Sequence, residues 1–195
     1  MTLLKRLIGE AKTSSIDKDR SAIELFFNSL VEDLNTLFRQ FFRNNIAGSI
    51  FVPRFLRWVI LRLSGLNIQT PKIREECRFN NSYVSVGKSS SINRACYFEG
   101  SGKIQIGERS NIGPGCYFLT SQHKWNENGE LDHPFSADIK VGDRVWIGAR
   151  STILPGTVIE DNCVIGAGSL VKGHLKPNLI YAGVPAKPIA NKTVS

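Results

Sequence analysis

The stretch that decides the fold reads VGDRVWIGARSTILPGTVIEDNCVIGAGSLV and runs from Val141 to Val171. Within it an apolar residue returns at every sixth position, and two shorter stretches before it keep the same spacing. The apolar positions are Val86, Ile92, Ile106, Ile112, Phe118, Val141, Ile147, Ile153, Ile159, Ile165 and Val171. A fixed short period of this kind predicts a repeat architecture.

The fifth residue of each six-residue unit tests this frame independently. Every one is small: Ser90, Cys96, Ser110, Cys116, Val145, Ser151, Thr157, Cys163 and Ser169. Each unit is expected to form a short strand and a corner, and three units make one turn of a triangular coil. Gly often follows the apolar residue, where we expect it to tolerate the backbone conformation of the turn. The predicted fold is mainly β, a left-handed parallel β-helix over residues 67–190.

Residues 1–66 predict a helical region in front of the coil. Ser21 and Glu24 match a capping box, in which each side chain satisfies a free amide at the start of a helix. Apolar residues then recur at spacings of three and four, at Ile23, Phe27, Leu30, Leu34, Leu37 and Phe41. This spacing places them on one face of a helix.

A second helix is predicted from Pro53, a favoured first position, to Gly65, a favoured C-terminal stop. Three arginines interrupt its apolar residues: Arg54, Arg57 and Arg62. In one interpretation this α-helical region caps the coil and its arginines point to water. In the other, the helix lies on an anionic membrane surface. We favour the cap because a coil buries its core only by stacking. Residues 191–195 are expected to form a short C-terminal tail.

Composition excludes several classes of protein. The 195 residues carry a formal charge of +8, but there is no dense Lys/Arg run and no nucleic-acid motif, so nucleic acid is not an expected partner. The first residues lack the features of a signal peptide, and no apolar run reaches the roughly 18 residues of a membrane span. We therefore expect a cytoplasmic location, and contact with the inner face of the membrane is compatible with it.

The cysteines predict neither a zinc site nor a disulfide framework, because no CxxC spacing occurs. Cys96, Cys116 and Cys163 occupy the small interior position, where a thiol behaves as a compact apolar group. Cys77 stands alone before the repeat.

The period breaks at residues 124–140, a polar insertion that is expected to project from the coil as a loop. His123 is the last residue before it. A smaller slip of two residues lies around Glu99–Gly102. Function is expected where the repeat is interrupted.

Five motifs carry a resemblance to a known family: Thr120–His123, Val145–Ala149, Ile153–Gly156, Val164–Ser169 and Ala182–Lys187. With them, residues 83–191 resemble the hexapeptide acyltransferases, particularly the galactoside, maltose and polysaccharide O-acetyltransferases. The resemblance implies an acetyl-CoA-dependent enzyme without a metal, a homotrimer with active sites between neighbouring coils, and His123 as general base.

The same resemblance implies binding residues. Contacts to coenzyme A fall on Ala149, Ala167, Lys172, Gly173 and Lys187, with Lys176 and Arg150 as helpers near the phosphates. Asn93 and Trp146 fall at acceptor-binding positions, and whether Trp146 packs or touches the ligand stays open. Two positions depart from the family pattern. His174 replaces a residue that is more often acidic, and Glu160 stands where Gly is commoner.

Acetylation of a sugar hydroxyl needs a group that accepts its proton, and imidazole titrates near neutrality. The resemblance therefore implies sugar O-acetylation with His123 as the base, and it favours a role in cell-surface polysaccharide biosynthesis. Two alternatives stay open: N-acetylation of an amino sugar or antibiotic, and a non-catalytic trimeric scaffold. A carbonic anhydrase of this fold is disfavoured because it needs three metal-binding histidines, two of them close together on the coil. Here the only other histidines are His174 and His133, and His133 lies in the loop, where it either lines the acceptor pocket or is solvated.

Overall fold

The computed structural model describes residues 25–124, 126–131 and 133–192. The chain divides into two compact units between Arg39 and Gln40. Residues 25–40 are helical and form helix α1, whose apolar side chains, such as Leu34, are exposed. The capping box predicted at residues 21–24 lies outside the described residues.

The second unit begins with helical structure and continues as a series of short strands. A π-helical turn spans Phe41–Ile46, and helix α2 spans Arg54–Leu63, with Pro53 as its N-cap and Ser64 as its C-cap. The strands are β1 Asn67–Ile68, β2 Arg78–Phe79, β3 Val84–Val86, β4 Ser91–Ile92, β5 Tyr97–Phe98, β6 Ile104–Ile106, β7 Asn111–Ile112, β8 Tyr117–Phe118, β9 Ser121–Gln122, β10 Phe135–Ser136, β11 Ile139–Val141, β12 Trp146–Ile147, β13 Thr152–Ile153, β14 Val158–Ile159, β15 Val164–Ile165, β16 Leu170–Val171, β17 His174–Leu175, β18 Leu179–Gly183 and β19 Ala186–Asn191.

Seventeen of the strands form three sheets that are the three faces of a coil, and β9 and β10 form a separate two-stranded hairpin. Sheet 1 has the order β1-β3-β6-β11-β14-β17, sheet 2 the order β4-β7-β12-β15-β18-β19, and sheet 3 the order β2-β5-β8-β13-β16. Neighbours within a sheet come from successive turns and are parallel, except that β19 folds back antiparallel on β18. The fold is a left-handed parallel β-helix of about six turns, which confirms the prediction.

The interior of the coil consists of stacked columns of like residues. All the apolar and small positions of the predicted six-residue frame are buried. On sheet 3, Phe98 stacks between Phe79 and Phe118, with ring centroids 4.7 and 4.8 Å apart. These spacings match the distance between neighbouring strands, so equivalent side chains of successive turns lie in direct contact.

The coil contains one more turn than the sequence frame, which began at Val86. Ile68, Ile73 and Phe79 of this first turn are all buried. Cys77 is buried directly before β2, as Cys96 is before β5. The prediction that Cys77 stands alone before the repeat is therefore wrong. The first turn escaped the frame because the spacing from Ile68 to Ile73 is five residues.

The glycines that follow the apolar residues have a different role from the predicted one. Positive φ angles lie at other corner residues, such as Asn162 and Gly168, whereas Gly148 is not among the residues with positive φ. A Cβ on Gly148 would lie 2.5 Å from the backbone nitrogen of Ala167 in the next turn. Glycine is required there because the stacked turns approach too closely for any side chain.

Helix α2 packs on the first turn of the coil through Leu61 and Trp58, whose indole nitrogen donates a 2.9 Å hydrogen bond to the carbonyl of Ile68. Arg57 is 2% exposed and donates to the carbonyls of Ala47, Ser49, Val52 and Ile73 at 2.6, 2.8, 2.8 and 3.2 Å.

The expectation that all three arginines point to water is thus wrong for Arg57. Its guanidinium donates four hydrogen bonds, three of them to carbonyls of the irregular chain around residues 47–52. Burial lowers the pKa of the Arg57 guanidinium, an effect opposed by the neighbouring Glu75 carboxylate.

Helix α2 ends at Leu63 and the first strand begins at Asn67, while β19 ends at Asn191. The domain boundaries drawn from the sequence at residues 66 and 190 stay predictions. No helix in the described part of the chain is both long and apolar enough to cross a membrane.

Candidate active site

A groove of about 570 Å³ runs along the outer face of sheet 2. Asn93, Trp146, Ala149 and Ala167 all line it. The structure therefore brings four of the residues predicted to bind ligands to one continuous surface.

The strand register explains this arrangement. Trp146 pairs with Asn111 on one side and Val164 on the other, and Asn111 pairs with Ser91. Because side chains alternate along a strand and Ile147 points into the core, Trp146 points outward, and 57% of its surface is exposed.

The small residues of the groove follow from the stacking of the coil. Gly113, Gly148 and Gly166 occupy equivalent positions after β7, β12 and β15, and each meets the backbone or a small residue of the next turn. Together they make a concave strip. From the level of Asn93 to that of Ala167 the strip crosses three strand spacings, about 14 Å.

Lys187 lies at the C-terminal end of the same sheet. It pairs with Ala182 across the antiparallel hairpin of β18 and β19, and β18 lies next to β15. The hairpin is tied to the coil by the backbone amide of Gly183, which donates a 3.2 Å hydrogen bond to the hydroxyl of Ser169. Lys187 itself is exposed.

The other predicted site residues lie at a different corner of the coil. His123 follows β8 and β9 where the chain leaves sheet 3, and Lys172 and Gly173 lie between β16 of sheet 3 and β17 of sheet 1. This corner is opposite the face formed by sheet 2. None of the three residues lines the groove, and all three are exposed. A single chain therefore does not assemble the whole predicted site.

The residues that precede His123 are held by a carboxylate that sequence reasoning did not assign. Glu99 accepts hydrogen bonds from the backbone amides of Thr120 and Ser121 at 2.6 and 2.9 Å, and from the Ser121 hydroxyl at 2.6 Å. Partial burial raises the pKa of Glu99, but these hydrogen bonds outweigh burial and lower it overall. The sequence signal for this residue was the two-residue slip at Glu99–Gly102.

The loop holds both neighbours of His123. Gln122 pairs with Phe135 in the short antiparallel hairpin of β9 and β10. The ammonium group of Lys124 lies 4.4 Å from the centroid of the Phe135 ring, a cation–π contact. Phe135 thus fixes the chain on either side of His123. His133 is an exposed residue of the same loop.

The two departures from the family pattern contact each other. The Nε2 atom of His174 lies 2.7 Å from a carboxylate oxygen of Glu160. His174 belongs to β17 and Glu160 directly follows β14, the adjacent strand of sheet 1, so the pair lies away from the groove on sheet 2 of its own chain. In the described part of the chain, no group of three His, Cys, Asp or Glu residues is placed to hold a metal ion.

The fold, the groove and the inserted loop define a left-handed β-helix protein whose coil is built from six-residue units. Residues 138–173 match the family model described as bacterial transferase hexapeptide (six repeats). This part of the chain thus carries the hexapeptide repeat of bacterial transferases, which confirms the resemblance found in the sequence.

Individual relatives are acetyltransferases. The chain is 46% identical over 67 residues to the galactoside O-acetyltransferase of Escherichia coli strain K12, covering 34% of this chain and 32% of the relative. It is 48% identical over 54 residues to the putative lipopolysaccharide biosynthesis O-acetyl transferase WbbJ of the same strain, covering 28% of each. The chain thus spans about a third of the length of these curated relatives.

The likeness to a solved structure is more extensive. A galactoside acetyltransferase in complex with coenzyme A superposes with a TM-score of 0.65 at 25% identity, covering 82% of this chain and 80% of that one.

Proposed function

We propose that this chain is an acetyl-CoA-dependent O-acetyltransferase that acts on a sugar hydroxyl, with His123 as general base. The observation that carries the proposal is the groove itself. It gathers Asn93, Trp146, Ala149 and Ala167 on one face of a coil that is similar to a galactoside acetyltransferase in complex with coenzyme A.

The groove suits an extended cofactor. Three glycines and two alanines contribute to its lining, and at these positions the backbone permits close approach of a thin chain. Ala149 and Ala167 would line the cofactor arm, and Lys187 at the end of the sheet would meet its phosphates. Lys172 and Gly173, with Lys176 and Arg150 nearby, are proposed to complete the cofactor site.

Acetyl transfer, at the end of the groove away from Lys187, requires a base. As the hydroxyl oxygen attacks the thioester carbonyl, His123 would accept its proton and then deliver it to the leaving thiolate. Such assistance contributes on the order of 10²–10⁴-fold in rate. Asn93 and Trp146 would hold the acceptor sugar.

The division of the site between two corners supports a homotrimer. His123, Lys172 and Gly173 lie opposite the groove of their own chain, so they would serve the groove of a neighbouring copy. Three equivalent sites then arise by threefold symmetry, each between two coils.

We place the acceptor in cell-surface polysaccharide synthesis, a role supported by the similarity to the putative lipopolysaccharide O-acetyl transferase. In this role the enzyme would work in the cytoplasm at the inner face of the membrane. Exposed apolar side chains near α2, including Phe51, Phe55 and Leu63, with Arg62 beside them, suit such contact. Loss of sedimentation with anionic vesicles in Phe51→Ser/Leu63→Ser would test this contact.

The test of the activity is release of free thiol from acetyl-CoA in the presence of sugars, amino sugars and aminoglycosides. We expect release that depends on a sugar hydroxyl and falls at least 100-fold in His123→Asn. His133→Asn, in the same loop, is the matched control and should retain activity. Coenzyme A binding must persist in His123→Asn, measured by calorimetry.

Two outcomes would redirect the proposal. Transfer only to amines would establish the N-acetyltransferase alternative. Failure of the wild type to bind coenzyme A would favour the trimeric scaffold.

A further inference from the structure

Next to the groove, at the end marked by Asn93, lies a smaller cavity of about 170 Å³. Ser91 and Asn93 line both cavities, so the small one continues the groove. Its charged lining residues are Arg54, Lys72 and Arg74, and all three are cations. The volume corresponds to about six water molecules, which is room for one or two phosphate-sized groups.

The coil itself brings two of these cations to the groove. Ile73 bridges Ile92 in parallel register, so Lys72 aligns with Ser91, and Arg74 with Asn93. Ile73 is fully buried. Because side chains alternate along a strand, Lys72 and Arg74 project outward. They extend by one turn the two rows of outward-facing residues that include Ser91 and Asn93. The third cation, Arg54, is the first residue of α2, the helix that covers this end of the coil.

The charge of the cavity is not cancelled by its surroundings. The Arg74 guanidinium lies 3.5 Å from the carboxylate of Glu75 and remains 54% exposed. Three cations and this one carboxylate leave a net charge of +2. A ligand group with two negative charges balances this better than a single carboxylate does, and arginine and lysine are the usual partners of phosphate.

We propose that Arg54, Lys72 and Arg74 form a subsite for a phosphate or diphosphate group that is attached to the acceptor sugar. The inference rests on the proposed function in one respect only, namely that the bound sugar is the acceptor of the acetyl group. It makes the preferred acceptor an activated sugar, carrying either a nucleoside diphosphate or a lipid diphosphate, rather than a neutral oligosaccharide.

The test is direct binding, which does not require catalysis. Calorimetry compares a uridine diphosphate hexose, a short-chain prenyl diphosphate hexose and the free hexose. We expect at least one diphosphate sugar to bind at least tenfold more tightly than the free hexose, and this preference to weaken with added salt. The favoured compound identifies the soluble or the lipid source.

The variant Lys72→Gln/Arg74→Gln should lose at least tenfold in affinity for that compound. The matched control is Lys88→Gln/Arg109→Gln, which removes one exposed lysine and one exposed arginine outside the cavity and should bind as the wild type does. Thermal unfolding of both variants checks that they are folded.

The proposal is overturned if no diphosphate sugar is preferred, or if the two double variants lose affinity equally. It is also overturned if Lys72→Gln/Arg74→Gln weakens coenzyme A binding instead, because the cavity would then hold the phosphates of the cofactor. Absence of acetyl transfer with intact diphosphate binding would refute the proposed activity and leave the anion subsite standing.

Discussion

The carboxylate of Glu99 accepts a 2.6 Å hydrogen bond from the backbone amide of Thr120, which stands three residues before His123. The link joins the only two irregularities of the repeat in residues 86–171, the slip at Glu99–Gly102 and the inserted loop. Thr120 is itself fully buried, and its hydroxyl accepts a 3.0 Å hydrogen bond from the amide of Gly102. The base of the loop that carries His123 is therefore fixed to the preceding turn of the coil.

Replacing this carboxylate should lower the rate of transfer without weakening cofactor binding. Glu99→Gln keeps the shape but replaces one oxygen acceptor by a donor, so it loses hydrogen bonds to Thr120 or Ser121. We expect kcat to fall about tenfold, because small displacements of a catalytic group are costly, while coenzyme A affinity is unchanged. The exposed Glu108→Gln is the control and should leave kcat unaltered. A rise in KM for acetyl-CoA in Glu99→Gln would contradict a positioning role.

The same carboxylate should make stability depend on acid pH. Hydrogen bonds lower the pKa of Glu99 in the folded chain, so its contribution is present above the ordinary glutamate pKa of about 4.3 and is lost as pH falls through the folded value. At pH 7, Glu99→Gln should reduce the free energy of unfolding by about 1 kcal/mol, a modest figure because the site is partly solvated. In urea denaturation this difference should shrink below pH 4. A difference independent of pH would show that the charge is irrelevant.

The aromatic stack of sheet 3 should be a main source of stability. Phe98 is fully buried and contacts a parallel ring on each side. Phe98→Leu leaves part of this space unfilled, and we expect a loss of about 2 kcal/mol in the free energy of unfolding. Tyr117→Leu, on the same sheet but 48% exposed, should cost less than half as much. Equal losses in urea denaturation would mean that the stack contributes nothing beyond strand formation.

The coil could be predicted from the sequence because the stacking of turns requires an apolar residue at every sixth position. Each turn repeats this requirement. It missed the first turn because the shorter spacing between Ile68 and Ile73 falls outside a strict period of six. It also misassigned Arg57, since an arginine between apolar residues looks solvated until the carbonyls of residues 47–52 are placed around it.

The candidate site was likewise predicted in part from the sequence and missed in part. Asn93, Trp146, Ala149 and Ala167 were predicted and do line one groove, because equivalent positions of successive turns lie above one another. The sequence could not show that His123 and the groove lie at opposite parts of the coil. It also did not reveal the cations around Asn93, because Lys72 and Arg74 belong to the turn that the frame omitted.

Close stacking at the groove floor should make its glycines intolerant of substitution. In Gly148→Ala the new Cβ would lie 2.5 Å from the backbone nitrogen of Ala167, so adjacent turns must separate. We expect the free energy of unfolding to fall by about 3 kcal/mol. Gly129→Ala in the loop meets no atom within 4 Å and carries only the strain of its positive φ of 75°, about 1 kcal/mol. If both changes cost the same, the approach of the turns is looser than these distances indicate.

Two inactive variants should restore each other if the site is shared between copies. His123→Asn removes the base, and Ala167→Trp fills the groove at an exposed position, so each homotrimer should be inactive. In mixed trimers, a site that takes its histidine from an Ala167→Trp copy and its groove from a His123→Asn copy has both parts intact. Each mixed trimer contains one such site, so about a third of the sites in trimers that hold both variants are of this kind. We therefore expect coexpressed variants, purified by tags on both chains, to regain activity of that order in the thiol-release assay. The double variant His123→Asn/Ala167→Trp, coexpressed with wild type, controls for expression and mixing. If both parts of the site came from one chain, no mixed trimer would be active, and the opposite placement of His123 and the groove would need another explanation.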